Sequence, residues 1–285
     1  GLQVDINLLN KGINVSNIPK IIDCFIFYNE IDMLIYRLNI LNDIVDYFVI
    51  VEANHTFAGN KKSLYFNENK HLFEKFNKKI IHIVVDLPFD SNNINIANNQ
   101  QWSNEIYQRN AIILGINKIC LLDHDLIIIS DLDEIPDPNI LKNIKFSQSE
   151  IEIIQFDQDL YYYNLNTKLN IKWIESKIMS YKKYKDLNLP FNNLRCTKSN
   201  SVLKCGWHLS YFGDANFIKN KIISFSHQEF NSETYTNVES IKNKIKNGID
   251  LFNRPSQEIQ MTTINIKDNT YLPPLYDVYL RSFYT

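Results

Sequence analysis

Residues Asp125 to Pro138 read DLIIISDLDEIPDP. A run of apolar, mostly β-branched residues, Leu126 to Ile129, stops abruptly at Ser130, Asp131, Asp133 and Glu134, with Leu132 between them. The pattern predicts a buried strand that delivers carboxylates to its C-terminal tip, the edge at which open α/β sheets bind ligands. Carboxylates so close together repel one another unless a cation sits among them. Oxygen-only donors suit Mg²⁺ or Mn²⁺. A metal there, with room for a phosphate, is the chemistry of enzymes that handle nucleotide-linked substrates. Asp137 before Pro138 has a simpler reading, an N-cap and the first residue of a helix.

Three further groups of residues can join that chemistry. Tyr28, Asn29 and Glu30 end the first apolar run and can hold a base or ribose, although Asn29 can equally cap the next helix. Glu52 ends the second run and can accept hydrogen bonds from ribose hydroxyls. Trp102, Glu105 and Arg109 share a helical stretch; Glu105 and Arg109 stand four apart and can pair. Arg109 would meet a phosphate or sugar if that helix faces the nucleotide. CGWHLSYFG (Cys205 to Gly213) and KIISFSHQEF (Lys221 to Phe230) each set a histidine among aromatics. Trp207 offers a flat surface to a sugar ring. His227 can be an extra ligand for Mn²⁺, and Lys221 can meet a diphosphate.

The elements that must position these residues alternate through the first half. Ile21 to Tyr28, Tyr47 to Val51, Ile80 to Val85 and Leu126 to Ile129 read as strands. Glu30 to Leu41, His71 to Phe76 and Gln101 to Ile116 read as helices, the last with Trp102, Ile106, Ile113 and Leu114 as apolar positions. Strand–helix alternation predicts an α/β fold with a mostly parallel central sheet, and near-continuous apolar strands predict helices on both faces. In the second half, Glu152 to Phe156, residues 171 to 181 and residues 201 to 211 read as strands. Ile222 to Phe225 is strand-like, Ser232 to Asn247 is helical, and the aromatics of Leu272 to Thr285 are expected to pack back on the core. Residues 1–18 read as a loose tail and residues 19–285 as one domain.

At 285 residues with 45% hydrophobic content, the chain can bury a large core. A net charge of −2 without a basic block argues against a nucleic-acid partner. No apolar run approaches a transmembrane span, so the chain as given is expected to be soluble, either cytoplasmic or a lumenal domain without its anchor. Neither GxGxxG after the first strand nor GxxxxGK[ST] occurs, which excludes the common dinucleotide and P-loop signatures. The 4 cysteines are too few for a disulfide scaffold. Cys24 and Cys120 read as buried thiols, while Cys196 and Cys205 could close a small loop.

Taken together, DCFIFYNEIDMLIYRLNIL, VDYFVIVEANHTFAGNKKSLYF, WSNEIYQRNAI, IIISDLDEIP, GWHLSYFG, SFSHQEF and NGIDLFNR resemble glycosyltransferase family 17, the inverting N-acetylglucosaminyltransferases that add the bisecting residue to N-glycans. The resemblance runs from about Ile21 to Pro273. It implies a GT-A type fold, one Rossmann-like nucleotide-binding domain, with UDP-N-acetylglucosamine as donor, a glycan or glycoprotein as acceptor, and Mn²⁺ or Mg²⁺ as cofactor. Asp133 would then hold the metal, and Asp131 would be a second ligand or a ribose contact. Lys221, Arg109 or Arg195 would share the charge of the departing UDP. An inverting transfer needs one base. Asp214, Glu229, Asp159 and His208 are the candidates, with Glu229 favoured because it follows His227 closely. Two other readings compete. A metal-dependent phosphohydrolase acting on nucleotides would use the same acidic tip but needs more clustered ligands. A sugar-binding module without activity would not need the intact DLDE.

Overall fold

A computed structural model describes residues 15–147 and 149–285. Most of the expected N-terminal tail lies outside the described residues.

Four strands make the parallel block: β1 (Ile21–Ile26), β2 (Tyr47–Ala53), β3 (Ile80–Val85) and β4 (Leu126–Ile129). They lie in the order β3-β2-β1-β4, with β1 parallel to both β2 and β4. Their side chains alternate between two apolar layers. Phe25, Phe48 and Ile128 face one layer, and Cys24, Val49 and Ile127 the other. Helix α1 (Ile31–Leu41) links β1 to β2 and buries Leu34, Leu38 and Leu41. Helices α2 (Gln100–Asn110) and α3 (Ile112–Ile116) link β3 to β4. The chain therefore leaves β1 toward one side of the sheet and returns at β4 on the other. The ends of β1 and β4 part at this switch and leave a crevice.

The second half extends the sheet by a different rule. After β4 come the short β5 (Glu134–Ile135) and α4 (Pro138–Phe146), capped by Asp137 as expected: its Oδ1 accepts from the Asn139 amide at 2.9 Å. Next follow β6 (Ile153–Tyr162), β7 (Thr167–Trp173), β8 (Lys177–Ser180), α5 (Tyr181–Leu187), α6 (Phe191–Cys196), β9 (Val202–Ser210), α7 (Ala215–Ser224), α8 (Val238–Asn247) and β10 (Met261–Thr263). The whole sheet has ten strands in the order β10-β7-β6-β8-β4-β1-β2-β3, with β9 pairing β5 and β6. The α/β class and the parallel block are as the sequence predicts. The extension is largely antiparallel: β8 runs against β4 and β6, and β7 against β6 and β10. No crossover helix separates β6, β7 and β8, and short connections join antiparallel strands.

Gly206 marks a close approach of β9 to β5. Its φ is +101°, and a Cβ there would stand 1.9 Å from the Ile135 carbonyl oxygen. Only glycine lets β9 pass over β5. The C-terminal aromatics pack back as expected, with Phe283 5.2 Å from Phe212 and the Tyr36 hydroxyl donating to the Pro274 carbonyl.

Three local expectations change. Ile222 to Phe225 is mostly helix, the end of α7, because Asp214 caps that segment by accepting from the Phe217 amide at 2.8 Å. Cys120 is exposed rather than buried, and all four cysteines are free thiols, so Cys196 and Cys205 do not pair. The 101–116 segment breaks into α2 and α3. Along α2 the apolar expectation inverts: Ile106 is 39% exposed, while Gln101, Asn104, Gln108 and Arg109 are buried.

Candidate active site

The inverted polarity of α2 has a local cause. Its polar face lies against backbone carbonyls near the ends of β1 and β2 and in the loops after β2 and β3. Gln108 Nε2 donates to the carbonyls of Val51 at 2.9 Å and Phe27 at 3.4 Å. Asn104 Nδ2 donates to those of Phe57 and Phe89. Buried carbonyls need donors, and an apolar helix face has none to give. One turn further, Arg109 reaches the acidic turn.

That turn is held by arginines from three helices. Arg37 of α1 is fully buried and grips Asp23 of β1 with Nε and Nη2, at 2.8 and 2.7 Å. It also donates to Ser130 Oγ at 2.6 Å and to the carbonyls of Asp131, Leu132 and Glu134 at 2.9 to 3.0 Å. Arg109 meets Asp131 Oδ1 at 2.6 Å and Glu105 at 3.0 Å. Arg195 of α6 meets Glu134 Oε1 at 2.7 Å and Asp131 Oδ2 at 3.3 Å. Glu134 is fully buried and also accepts from the Trp173 indole. Burial works to raise the carboxyl pKa values of Asp131 and Glu134, but the arginines overcome it and hold both below the usual range.

Asp133 is held differently. Its oxygens stand 3.3 Å from His208 Nε2 and 3.3 Å from Lys221 Nζ. Burial would raise its pKa, yet Lys221 and His208 beside it keep it well below the carboxylate range. Lys221 in turn stays protonated: burial pulls its pKa down, and Asp133 and Glu30 push it above the ordinary lysine value. Glu30 is raised by burial, against the pull of Lys221.

These groups line one cleft of about 620 Å³. Of the residues expected from sequence, it brings together Tyr28, Glu30, Trp102, Arg109, Asp131, Asp133, His208, Lys221, His227 and Glu229. His227 Nδ1 stands 2.8 Å from Glu229, and its ring meets Trp102 edge-on at 4.7 Å. His227 follows a helix rather than a strand, so it is not at a sheet tip. Asn29 is not part of the lining, and no side-chain hydrogen bond of it caps α1. Glu52 lies elsewhere: it is fully buried, meets His82 Nε2 at 2.6 Å and accepts from the amides of Phe66 and Asn67. Asp214 is an exposed helix cap outside the cleft. Asp159 is buried against Lys168 and Lys172. Trp207 is core, 1% exposed, with its indole donating to the Tyr271 carbonyl. Neighbouring strand residues point to opposite faces, so His208 in the cleft puts Trp207 behind it. The aromatic beside His208 is Trp173, with ring centroids 4.6 Å apart.

Trp173, Arg254 and His55 also line the cleft and were not singled out from the sequence. Neither was Arg37, although a charge in the apolar run MLIYRLNIL, opposite Asp23 in IIDCFIF, is the signature of a buried pair. Three buried polar atoms of the cleft residues have no hydrogen-bond partner: His55 Nε2, Arg109 Nε and His208 Nδ1. Such groups are rare because each costs roughly 1–3 kcal/mol.

Among the described residues no three His, Cys, Asp or Glu side chains form a ready metal cage. The oxygens of Asp131 already face arginine. Those of Asp133 have only 3.3 Å contacts, longer than the usual charge-assisted bond. Mg²⁺-type ions commonly use one or two carboxylates and take the rest from substrate phosphates. Asp133 fits that pattern as a carboxylate ligand, while the Asp131 oxygens face Arg109 and Arg195.

No helix among the described residues is long and apolar enough to cross a membrane. Residues 9–267 match the family model for glycosyltransferase family 17. A segment of 121 residues is 30% identical to the Rattus norvegicus protein named beta-1,4-mannosyl-glycoprotein 4-beta-N-acetylglucosaminyltransferase; it covers 41% of this chain and 22% of that protein. With the family match running from before β1 to beyond β10, the chain belongs to glycosyltransferase family 17.

Proposed function

We propose that the protein transfers N-acetylglucosamine from UDP-N-acetylglucosamine to a glycan hydroxyl, with inversion at the anomeric carbon, on a GT-A type, Rossmann-like nucleotide-binding fold. One observation carries this reading. The Asp133 carboxylate faces a cleft at the parting ends of two parallel strands, with Lys221 and His208 each 3.3 Å from it. A diphosphate with its counter-ion suits such a crevice. The family supports the reaction class, and the name of the rat relative supports the sugar.

Asp133 would hold Mn²⁺ or Mg²⁺, with His227 as a further protein donor. When bound, the ion supplies Lewis-acid neutralisation of charge on the departing diphosphate. Lys221 is a fixed ammonium beside the same position and stabilises the same developing charge. Asp131, with its oxygens on Arg109 and Arg195, is suited to a ribose hydroxyl. Trp173 and His208 form a wall that suits the apolar face of the donor sugar.

Glu229 is the base we favour. Burial would raise its carboxyl, but the hydrogen bond from His227 keeps it below the usual glutamate range, so it is ionised at neutral pH. The acceptor oxygen bonds to the anomeric carbon as the bond to the diphosphate oxygen breaks. The acceptor proton goes to Glu229, and the electron pair leaves with UDP. Asp214 and Asp159 are too far committed to cap and lysine contacts to compete, and His208 stays the second choice.

The test is UDP release and glycan mass gain with UDP-N-acetylglucosamine, UDP-glucose and UDP-galactose, each with Mn²⁺ and with a chelator. Metal-dependent transfer that prefers the N-acetylated donor is expected. Equal transfer from all three donors would remove the donor assignment. Inorganic phosphate as the product, without transfer, would favour a phosphohydrolase instead.

A further inference from the structure

His55 belongs to none of the interactions described so far. It follows β2 in the segment HTFAG, lines the cleft, and is 8% exposed. The loop around it is tightly made. His55 and Lys61 form a β-bridge, the Thr56 amide donates to the Asn60 carbonyl at 2.8 Å, and the Gly59 amide donates back to Thr56. A loop so well satisfied in its backbone leaves one group aside: His55 Nε2 is buried with no partner. A histidine with only a packing role rarely leaves a ring nitrogen unpaired at such a cost.

The surroundings narrow what could meet it. Phe57 and Tyr28 line the same cleft. The Tyr28 ring is tethered: its hydroxyl accepts from Asn220 Nδ2 at 3.0 Å, and Lys62 Nζ stands 5.4 Å over its face. A tethered aromatic face in the same cleft as an imidazole edge suits a flat ring with donors and acceptors on its rim. Position adds the second constraint. His55 follows β2, and Asp133 follows β4, with β1 between them. Two strand spacings separate the two tips, about 10 Å, which is of the order of the span from a base to its diphosphate.

We propose that His55 reads the edge of the donor's nucleobase, with Tyr28 and Phe57 as the faces between which that base lies. The assignment rests on the nucleotide-donor reading above. The imidazole torsion is broad and roughly two-fold, so a turn of the ring presents a nitrogen to the ligand without moving the backbone.

The experiment compares two probes, UDP and inorganic pyrophosphate, which share the diphosphate and differ in the nucleoside. Calorimetry is done on the unsubstituted protein, His55→Ala and His55→Gln, with Mn²⁺ present. His55→Ala is expected to weaken UDP binding by about tenfold or more, leave pyrophosphate within about twofold, and be partly rescued by His55→Gln. Equal loss for both probes, or unchanged UDP affinity, would overturn the assignment. Should His55→Ala fail to fold, the imidazole ¹⁵N resonances of the unsubstituted protein serve instead. They are expected to shift with UDP and not with pyrophosphate, and identical responses would overturn the proposal. If the unsubstituted protein binds pyrophosphate but not UDP, the nucleotide-donor reading falls and takes this one with it. If it binds UDP and transfers sugar while His55→Ala keeps full affinity, only the role of His55 falls.

Discussion

Arg37 and Asp23 face each other as a two-pronged ion pair with neither side chain exposed to solvent. The pair joins α1 to β1, and the rest of the guanidinium runs along the carbonyls of the acidic turn. Removing one partner of a buried pair leaves the other charge uncompensated, at a cost of about 3–5 kcal/mol. Arg37→Met is expected to lose that much in urea unfolding. Arg37→Lys should recover only part, because an ammonium cannot span both Asp23 oxygens and the turn. A loss below about 1 kcal/mol in both variants would mean the turn holds itself.

Asp133→Asn keeps the side-chain shape and removes the charge. Transfer should fall by about 100-fold or more, in the range seen when an electrostatic group at a reacting centre is lost. Thermal stability should fall too at pH 7, because the Asp133 charge answers Lys221 at 3.3 Å, so turnover is compared at a temperature where both proteins are folded. Near-normal turnover with Mn²⁺ in this variant would rule out Asp133 as the ligand.

Acid should weaken the protein through the same turn. Asp131, Asp133 and Glu134 all have folded-state pKa values depressed below their ordinary ones. The unfolded chain therefore binds protons more readily near pH 4. The stability these groups contribute is complete above about pH 4–5 and is lost as pH falls through the folded values. Asp131→Asn should melt below the unsubstituted protein at pH 7, with the two curves converging as pH drops below 4. Parallel curves down to pH 2.5 would contradict this assignment.

His227 and His208 separate by titration. His227→Ala is expected to weaken Mn²⁺-dependent UDP binding several-fold and leave the metal-free melting temperature within a degree or two, because its imidazole is half exposed. His208→Ala should instead raise KM for the donor sugar, since it packs on Trp173 and touches Asp133 from one side only. Mn²⁺ titration in the presence of UDP decides between them. Loss of metal affinity in His208→Ala alone would exchange the two roles.

The parallel half was legible because its signal is local. Four buried strands of continuous apolar residues, each followed by a helix or turn, announce themselves in any window. The DLDE turn was equally plain, since nothing in a core explains Asp131 and Asp133 after Leu126 to Ile129. What answered its charge was not plain. Repulsion among the carboxylates pointed to a cation, and much of that positive charge is protein: Arg109, Arg195, Lys221. Arg37 was hidden because a lone arginine in an apolar helix looks like a solvent-facing residue until its partner strand is known. The α2 face misled for a related reason. Periodicity assumes that buried means apolar, and Asn104 and Gln108 are buried while donating to backbone carbonyls of loops and strand ends. Trp207 and His208 could not both face a sugar, because strand alternation sends neighbours to opposite sides. Which one faces the cleft is set by the pairing of β9 with β5, a fact of register rather than composition.

The acidic turn draws its partners from far along the chain. Arg37 precedes Asp131 by 94 residues, Arg195 follows it by 64, and Lys221 follows Asp133 by 88. Such distant closures form late, because each must first overcome the entropy of a long loop. Pairing of β1 with β4 closes a loop just as long, from Ile21 to Leu126, so the cleft is expected to assemble together with the parallel block, and during refolding nucleotide binding should recover in step with the sheet. A fragment ending before α6 can keep the strand and the carboxylates, but it would hold them with the repulsion only partly answered.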